Sequence, residues 1–301
     1  MTKDKAQFKV LIDTLQISTD INNVVDYTKI NNDIFEYVER TGDNFDNAQM
    51  KIKLNPHTKY GEGTIDKLHK HNNAVNEMLM EIGIVEVDEV NMNRIDIAFD
   101  SSDYEYVRDF KLMLFTYELM TVRRGKKDSR WYTTNINTLM QNSIKLYGDK
   151  FDLEIYDKKE ESKGTHPYNV RFEFRYKRLD RLNKTVDDSD IYINKTMDRI
   201  KGMEGNLEHL EANMTDRLLT LYEMKKDEVL SFSEFVRRYN EYFYTLNILK
   251  SVYKGVGLKG SYSEWLKKFR KTNTLEFYSK SDIKEVQRAM LRSAKAYMKN
   301  R

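Results

Sequence analysis

Four short segments alternate between apolar and polar residues, and the polar half of each could take part in phosphate chemistry. In Arg94–Asp100, Ile95, Ile97 and Phe99 stand against Asp96, Ala98 and Asp100. In Asp152–Lys158, Leu153 and Ile155 stand against Glu154, Tyr156 and Lys158. In Arg171–Tyr176, Phe172, Phe174 and Tyr176 stand against Arg171, Glu173 and Arg175. Gln49–Asn55 repeats the pattern, with Met50, Ile52 and Leu54 against Lys51, Lys53 and Asn55. Successive residues of a strand point to opposite faces, so each polar set shares one face. Paired into one antiparallel sheet, the four present carboxylates, cations and a tyrosine together. Carboxylates hold a hard divalent cation, cations neutralise phosphate, and a phenol oxygen can attack phosphorus. A free tyrosine ionises near about pH 10, so it needs a metal or a neighbouring cation to act near neutrality. Lys158, two residues beyond Tyr156, is placed for that. The same pattern also describes an ordinary solvated sheet face.

The elements that must position these residues change character along the chain. Phe8–Ile12 adds a fifth alternating segment, with helical patterns at Thr64–Ile84 and Ser102–Met120. After Asp188 the apolar period becomes 3.6 and predicts helices near Ser189–Glu228, Ser231–Tyr253, Ser261–Lys271 and Ser281–Lys299. Ser231 and Ser281 read as N-caps, with Glu234 completing a capping box after Ser231. The polar run Asn183–Asp190 is the expected boundary. The fold class is therefore α+β: an antiparallel sheet covered by helices over residues 1–182, then an all-helical domain over 183–301. A length of 301 residues fits two domains of about 150.

Composition narrows the function classes. There is no cysteine, which excludes disulfides, thiolate metal sites, iron–sulfur clusters and cysteine nucleophiles. No apolar run reaches the roughly 18 residues of a membrane span. The start, MTKDKAQFKV, lacks the apolar core of a signal peptide. A cytoplasmic protein with no membrane partner is expected. The net charge of +3 is uninformative as a total. Its distribution is not: the last 42 residues, from Gly260, hold eleven Lys/Arg against four Asp/Glu, a net of +7. That asymmetry points to a polyanion-binding end, or to a solvated helix face.

Other clusters are weighed in the same way. Arg123, Arg124, Lys126, Lys127 and Arg130 lie beside Trp131 and Tyr132, a mixture that suits a DNA strand as well as a solvated loop. Ser231–Arg270 could form a helix-turn-helix with Ser261–Lys271 in the major groove. Its contacts would be Tyr262, Lys267, Lys268, Arg270 and Lys271. His69 and His71 flank Lys70 on a helical pattern, where i and i+2 point apart, and read as surface histidines. Asp187, Asp188 and Asp190 read as an N-cap cluster, and Gly255, Gly257 and Gly260 as a turn between helices.

Two segments also carry a family resemblance. RIDIAFD (Arg94–Asp100) and IYDKKEE (Ile155–Glu161) resemble signature segments of the replication-initiation-factor family, the rolling-circle initiators of staphylococcal-type plasmids and related conjugative-element relaxases. MKIKLNP (Met50–Pro56) and VRFEFR (Val170–Arg175) are similar to the strands before and after them, in the same order. The resemblance implies a metal-dependent, site-specific DNA endonuclease and strand transferase. Tyr156 would attack a phosphodiester at an origin, leaving a 5′-phosphotyrosine and a 3′ hydroxyl. It further implies a divalent cation, magnesium or manganese, on Asp96 and Glu173, with Asp100 as a further ligand, and Lys158 offsetting charge at the phosphate. Arg171 and Arg175 join the loop and helix cations as DNA contacts. The implied partners are origin DNA as duplex and single strand, a host helicase and a second copy of the chain. In place of the family's arginine two residues before the tyrosine, this chain has Glu154. The alternatives are a DNA-binding initiator that does not cut, and a helical interaction protein without nucleic acid.

Overall fold

The computed structural model describes residues 8–24, 26–42, 48–61, 64–85, 90–102, 110–121, 143–146, 150–177, 179 and 185–299. Seven strands form one antiparallel sheet: β1 (Phe8–Asp20), β2 (Phe35–Thr41), β3 (Gln49–Leu54), β4 (Val90–Ser101), β5 (Ser143–Leu146), β6 (Phe151–Asp157) and β7 (Val170–Lys177). Their order across the sheet is β2-β3-β1-β4-β7-β6-β5. Among the described residues the helices are α1 (Pro56–Tyr60), α2 (Leu68–Glu81), α3 (Phe110–Thr121), α4 (Lys158–Glu161), α5 (Ser189–Lys225), α6 (Phe232–Arg238), α7 (Leu246–Gly255), α8 (Tyr262–Arg270) and α9 (Lys280–Met298). The class is α+β, as the sequence predicts.

Alternation explains how the sheet divides its residues. Ile97 lies between Ile12 and Phe174, and Phe99 between Val10 and Phe172, so one face is apolar across β1, β4 and β7. Leu153 and Ile155 of β6 extend it. Phe99 and Phe174 meet edge to face at 5.6 Å between ring centres, a favourable aromatic geometry. Helices α5 and α9 close over this apolar face. The Tyr176 hydroxyl lies 2.8 Å from the Thr196 hydroxyl of α5, and the Tyr192 ring packs on Tyr176. Sheet and helices thus share one hydrophobic core, which runs from Phe8 to Tyr297.

β1 carries more of the sheet than its first five residues suggest. It pairs with β4 along almost its whole length and with β3 over Leu15–Asp20. Two irregularities interrupt the β1–β4 ladder. One leaves Asp13 as an extra residue on β1, between Ile12 and Thr14. The other leaves Asn93 as an extra residue on β4, opposite the Gln16–Ile17 step. A bulge of this kind bends the strand and re-aims a side chain. β3 does lie in the same sheet as β4, but β1 stands between them.

The helical half follows the periodicity with one difference. α5 runs 37 residues from Ser189, and its entry holds the Thr185–Asp188 capping box, so of the expected aspartates Asp188 takes part in a cap. The helix expected over Ser231–Tyr253 is two helices. Ser231 caps α6, and a separate N-cap, Thr245, accepts from the Ile248 amide to start α7. Between them Phe243 and Tyr244 are fully buried, and the Tyr244 carbonyl accepts from the Tyr278 amide at 2.9 Å. α9 is capped by Ser279, not Ser281. Gly257 and Gly260 hold φ of 71° and 116° in the turn between α7 and α8, where a side chain would be strained.

The reading of His71 as a surface residue is corrected. It faces inward from α2, and both ring nitrogens are buried without a hydrogen-bond partner. Burial, with a smaller push from His57, lowers its pKa to about 3. An unfolded histidine titrates near about 6.5, so the unfolded chain binds the extra proton between those values. This contribution to stability is therefore complete above about pH 6.5 and shrinks as the pH falls towards 3. At pH 5 the loss amounts to about 2 kcal/mol. Urea unfolding of wild type and His71→Leu at pH 7.5 and pH 5 should show a smaller acid loss in the variant. Equal losses would exclude His71 as the titrating group.

Candidate active site

The polar face of β1, β4, β7 and β6 is buried rather than solvated. Asp96 is 1% exposed, Asp100 0%, Arg171 1%, Glu173 3% and Tyr156 5%. The register explains how they meet. Arg171 lies between Asp100 on β4 and Tyr156 on β6, Glu173 between Ala98 and Glu154, and Arg175 between Asp96 and Asp152. Directly opposed residues on antiparallel strands point to the same side, close enough for their side chains to interact.

Buried charges of this density require partners, and here they have them. The Arg171 guanidinium donates to both oxygens of Asp100, at 2.6 and 2.8 Å, and to Asp13 at 2.5 Å. The β1 bulge is what delivers Asp13. Burial alone would raise the Asp13 pKa, but Arg171, Lys158 and His57 together hold it below the usual carboxylate value. His166, in the β6–β7 connection, brings Nε2 to 3.8 Å from Asp100.

A second cluster surrounds Arg175. Its guanidinium donates to Glu173 at 2.6 Å, pairs with Glu154 at 2.9 Å, and lies 3.8 Å from Asp96. Asp96 also accepts from Arg94 through both oxygens, at 2.8 and 2.5 Å. Burial, then repulsion from Glu173, still raises the Asp96 pKa to about 7. Lys177 pairs with Asp152 at 2.9 Å. Glu154 is thus neutralised by Arg175 rather than left facing an incoming phosphate.

Glu173 joins the two clusters. Its Oε1 accepts from Arg175, and its Oε2 accepts from the Tyr156 hydroxyl at 3.0 Å. Burial and the Glu173 charge push the Tyr156 pKa well up, while Arg171 works the other way. Geometry therefore supplies a proton acceptor in contact with a phenol that cannot ionise unaided.

Lys158 is not the next residue of the strand. β6 ends at Asp157, whose carboxylate accepts from the Glu160 amide and caps α4. Lys158 opens that helix, with its ammonium 5.7 Å from the Tyr156 ring centre and paired with Glu161 at 2.6 Å. It remains beside the tyrosine for a different structural reason.

The expected metal ligands are not gathered around one point. Asp96 and Asp100 are four residues apart on one strand, about 13 Å, and Asp100 gives both oxygens to Arg171. Asp96 and Glu173 both approach the Arg175 Nε, at 3.8 and 2.6 Å. Among the described residues no group of three His, Asp or Glu side chains is placed to hold a metal ion. As arranged, these carboxylates grip guanidinium groups and do not fit a divalent cation. Arg171 and Arg175, expected as DNA contacts, each serve here as counter-ions to carboxylates of the same face.

The remaining expectations divide. Arg123, Arg124, Lys126, Lys127 and Arg130 lie outside the described residues. Lys267, Lys268, Arg270 and Lys271 are exposed on or just after α8, whereas the Tyr262 ring packs against Tyr253 and Trp265. Alternation alone does not reveal Asp13, Arg94 or His166 as members of the site. Arg94 has a signal, since it shares the phase of Asp96 and Asp100. Asp13 has none, because its place depends on the bulge.

No protein-family model matches the chain, and no curated protein matches it in sequence. Among solved structures it is similar to a rolling circle replication initiator protein from Geobacillus stearothermophilus. That similarity has 11% identity and a TM-score of 0.27, over 57% of this chain and 75% of the other. A superposition that loose transfers no residue's role, so the roles below rest on this chain's own geometry. No described helix is long and apolar enough to cross a membrane.

Arg171 should be the costliest charge to remove. Arg171→Met leaves Asp100 and Asp13 without their shared cation and should destabilise by about 3–5 kcal/mol. Asp13→Asn, which keeps the Asp100 pair, should cost far less. Urea midpoints compare the two, and a wild-type midpoint for Arg171→Met would contradict this account.

Proposed function

We propose that this chain nicks one DNA strand by tyrosine transesterification, as a replication initiator or relaxase. The observation that carries the proposal is the contact of the Tyr156 hydroxyl with Glu173 at 3.0 Å, on a sheet face where each neighbouring charge is held by a partner. Tyr156 Oη attacks the phosphorus of a phosphodiester while Glu173 Oε2 takes its proton, a general-base arrangement within hydrogen-bond reach. The bond from phosphorus to the 3′ oxygen breaks as the bond to Tyr156 forms. The 3′ oxygen leaves as a hydroxyl, so the net proton passes from phenol to sugar. Tyr156 then carries the 5′ phosphate, and the reverse reaction reseals the strand because the ester energy is kept.

The surrounding residues have separate tasks. Arg171, fixed by Asp100 and Asp13, places a permanent positive charge opposite Tyr156 and favours the phenolate. Lys158, paired with the half-exposed Glu161, is the cation that can turn to the phosphate. Arg175 holds Glu173 with one oxygen aimed at the tyrosine. No step is assigned to a divalent cation.

Duplex recognition is assigned to α7–turn–α8. Trp265 Nε1 donates to the Ser233 hydroxyl at 3.1 Å and fixes α8 against α6, with Phe232, Tyr253 and Phe269 packed around the indole. This leaves Lys267, Lys268, Arg270 and Lys271 outward, with no ion pair among the described residues. A second reading, a DNA-binding initiator that does not cut, is favoured by the burial of Tyr156.

The test is nicking of supercoiled DNA carrying the chain's cognate origin, run with magnesium, with manganese and with chelator. Wild type should give nicked circles and a 5′ protein adduct, and Tyr156→Phe should give neither. Glu173→Gln should lower the rate by about 10²–10⁴-fold. Normal nicking by Tyr156→Phe would sink the assignment, and tight binding without any nicking would favour the second reading. Lys267→Ala with Lys268→Ala should weaken origin binding in a filter assay without changing cleavage of a single-stranded origin oligonucleotide. Unaltered origin affinity would remove α8 from the interface.

A further inference from the structure

Helix α9 has two opposite faces. Ile283, Gln287, Met290, Ala294 and Tyr297 are buried and fall on one side. Gln287 fixes that side by donating to the carbonyls of Ile200 and Lys201 on α5, at 2.9 and 2.8 Å. Near the other end, the Lys67 ammonium donates to the Ala296 carbonyl at 2.7 Å. At about 100° per residue, Lys284, Arg288, Arg292 and Lys295 then fall within about 80° of arc on the opposite side, over about 16 Å of helix. Lys299 follows directly, and Glu285 lies at the margin of the stripe.

These cations differ from three surface cations of α5 and the turn after it, and resemble those of α8. On α5 and the turn after it, Lys201 pairs with Asp198, Lys225 with Glu228 and Lys226 with Glu223, each about one turn away. On α9, only Lys284 of this stripe has an acidic partner, Glu204 of α5 at 3.3 Å. Arg288, Arg292, Lys295 and Lys299 form no ion pair among the described residues. A favourable interaction with the helix dipole explains cations in the last turn, but not Arg288 and Arg292 in the middle. Unpaired like charges spaced about 5–6 Å apart on a helix repel one another, which is a standing cost unless an anionic surface meets them.

We propose that this stripe is a track for the phosphate backbone of duplex DNA, read without regard to sequence. It rests on the DNA-binding part of the function proposed above, but not on cleavage. B-DNA carries one phosphate per about 3.4 Å along each strand, so a rigid row of cations about 16 Å long can follow one strand across several phosphates. α9 is anchored to both β1 and α5, so the track is fixed relative to the sheet. It orients the duplex while α8 reads bases, the division between positioning and specifying contacts usual for DNA-binding proteins.

The experiment is salt-dependent binding of the full chain to origin duplex and to a random duplex of equal length. Wild type is compared with the triple variant Arg288→Gln, Arg292→Gln and Lys295→Gln. The slope of log affinity against log salt should fall by about 0.9 for each phosphate that is no longer neutralised, so by up to about 3. Affinity should drop equally for both duplexes, and cleavage of a single-stranded origin oligonucleotide should be unchanged. The Arg288→Lys, Arg292→Lys variant should bind like wild type, since charge rather than fork geometry is used. An unchanged slope overturns the proposal, as does a loss confined to the origin duplex. Loss of binding to phosphatidylserine vesicles with duplex binding intact overturns it in favour of a membrane surface. If no variant or wild type cleaves while the slope still falls, the cleavage reading fails and the track stands.

Discussion

Everything about the polar face of this sheet depends on the grip of Asp100 and Asp13 on Arg171. A guanidinium removed from water is tolerated only with close, well-directed partners, and the three hydrogen bonds it donates to two carboxylates provide them. Once that cation is fixed, it fixes what stands opposite. Tyr156 faces a charge that cannot move away and, through Glu173, an acceptor that is itself held. The second cluster repeats the principle with less margin. Arg94 and Arg175 serve Asp96, Glu154 and Glu173, and burial, with repulsion from Glu173, drives the Asp96 carboxyl up towards neutrality.

This arrangement treats preorganisation and reactivity as one problem. Donors and acceptors held in place before substrate arrives need no reorganisation during reaction. The same burial raises the tyrosine's pKa, so the proposed reaction would need the proton to pass directly to Glu173. An exposed tyrosine would be easier to reach, but it would face competing water and lack the field of Arg171.

Much of this can be read from residue order. Period two assigns Asp96, Asp100, Tyr156, Arg171, Glu173 and Arg175 to one face, and the register places them there. The sequence also holds the long helical half, its caps at Ser231 and Asp188, and the glycine turn before α8. What it cannot show is which charges will pair. Alternation gives a side, not a partner, so the same six residues suit a metal site, a phosphate site or a closed set of ion pairs. β2 escapes such a reading because its residues from Glu36 to Arg40 are all exposed and no apolar alternation survives. The break at Thr245 escapes it because an aromatic pair and a threonine cap inside a helical period look continuous.

The two irregularities in the β1–β4 ladder behave like a frameshift and its suppressor. Counted in steps of two from Val10, the chain would send Thr14 and Gln16 into the core. The extra residue at Asp13 changes the phase, so Leu15 and Ile17 go inward instead. On β4 the extra residue at Asn93 does the same for Met92 and Val90. Asp13 contributes a side chain as well as a count. Asn93 contributes a count: its side-chain amide is buried with no hydrogen-bond partner, while its carbonyl accepts from Leu179. At that position the sheet constrains chain length rather than residue type. A gap there would turn one end of β4 inside out, whereas a different side chain leaves the phase intact.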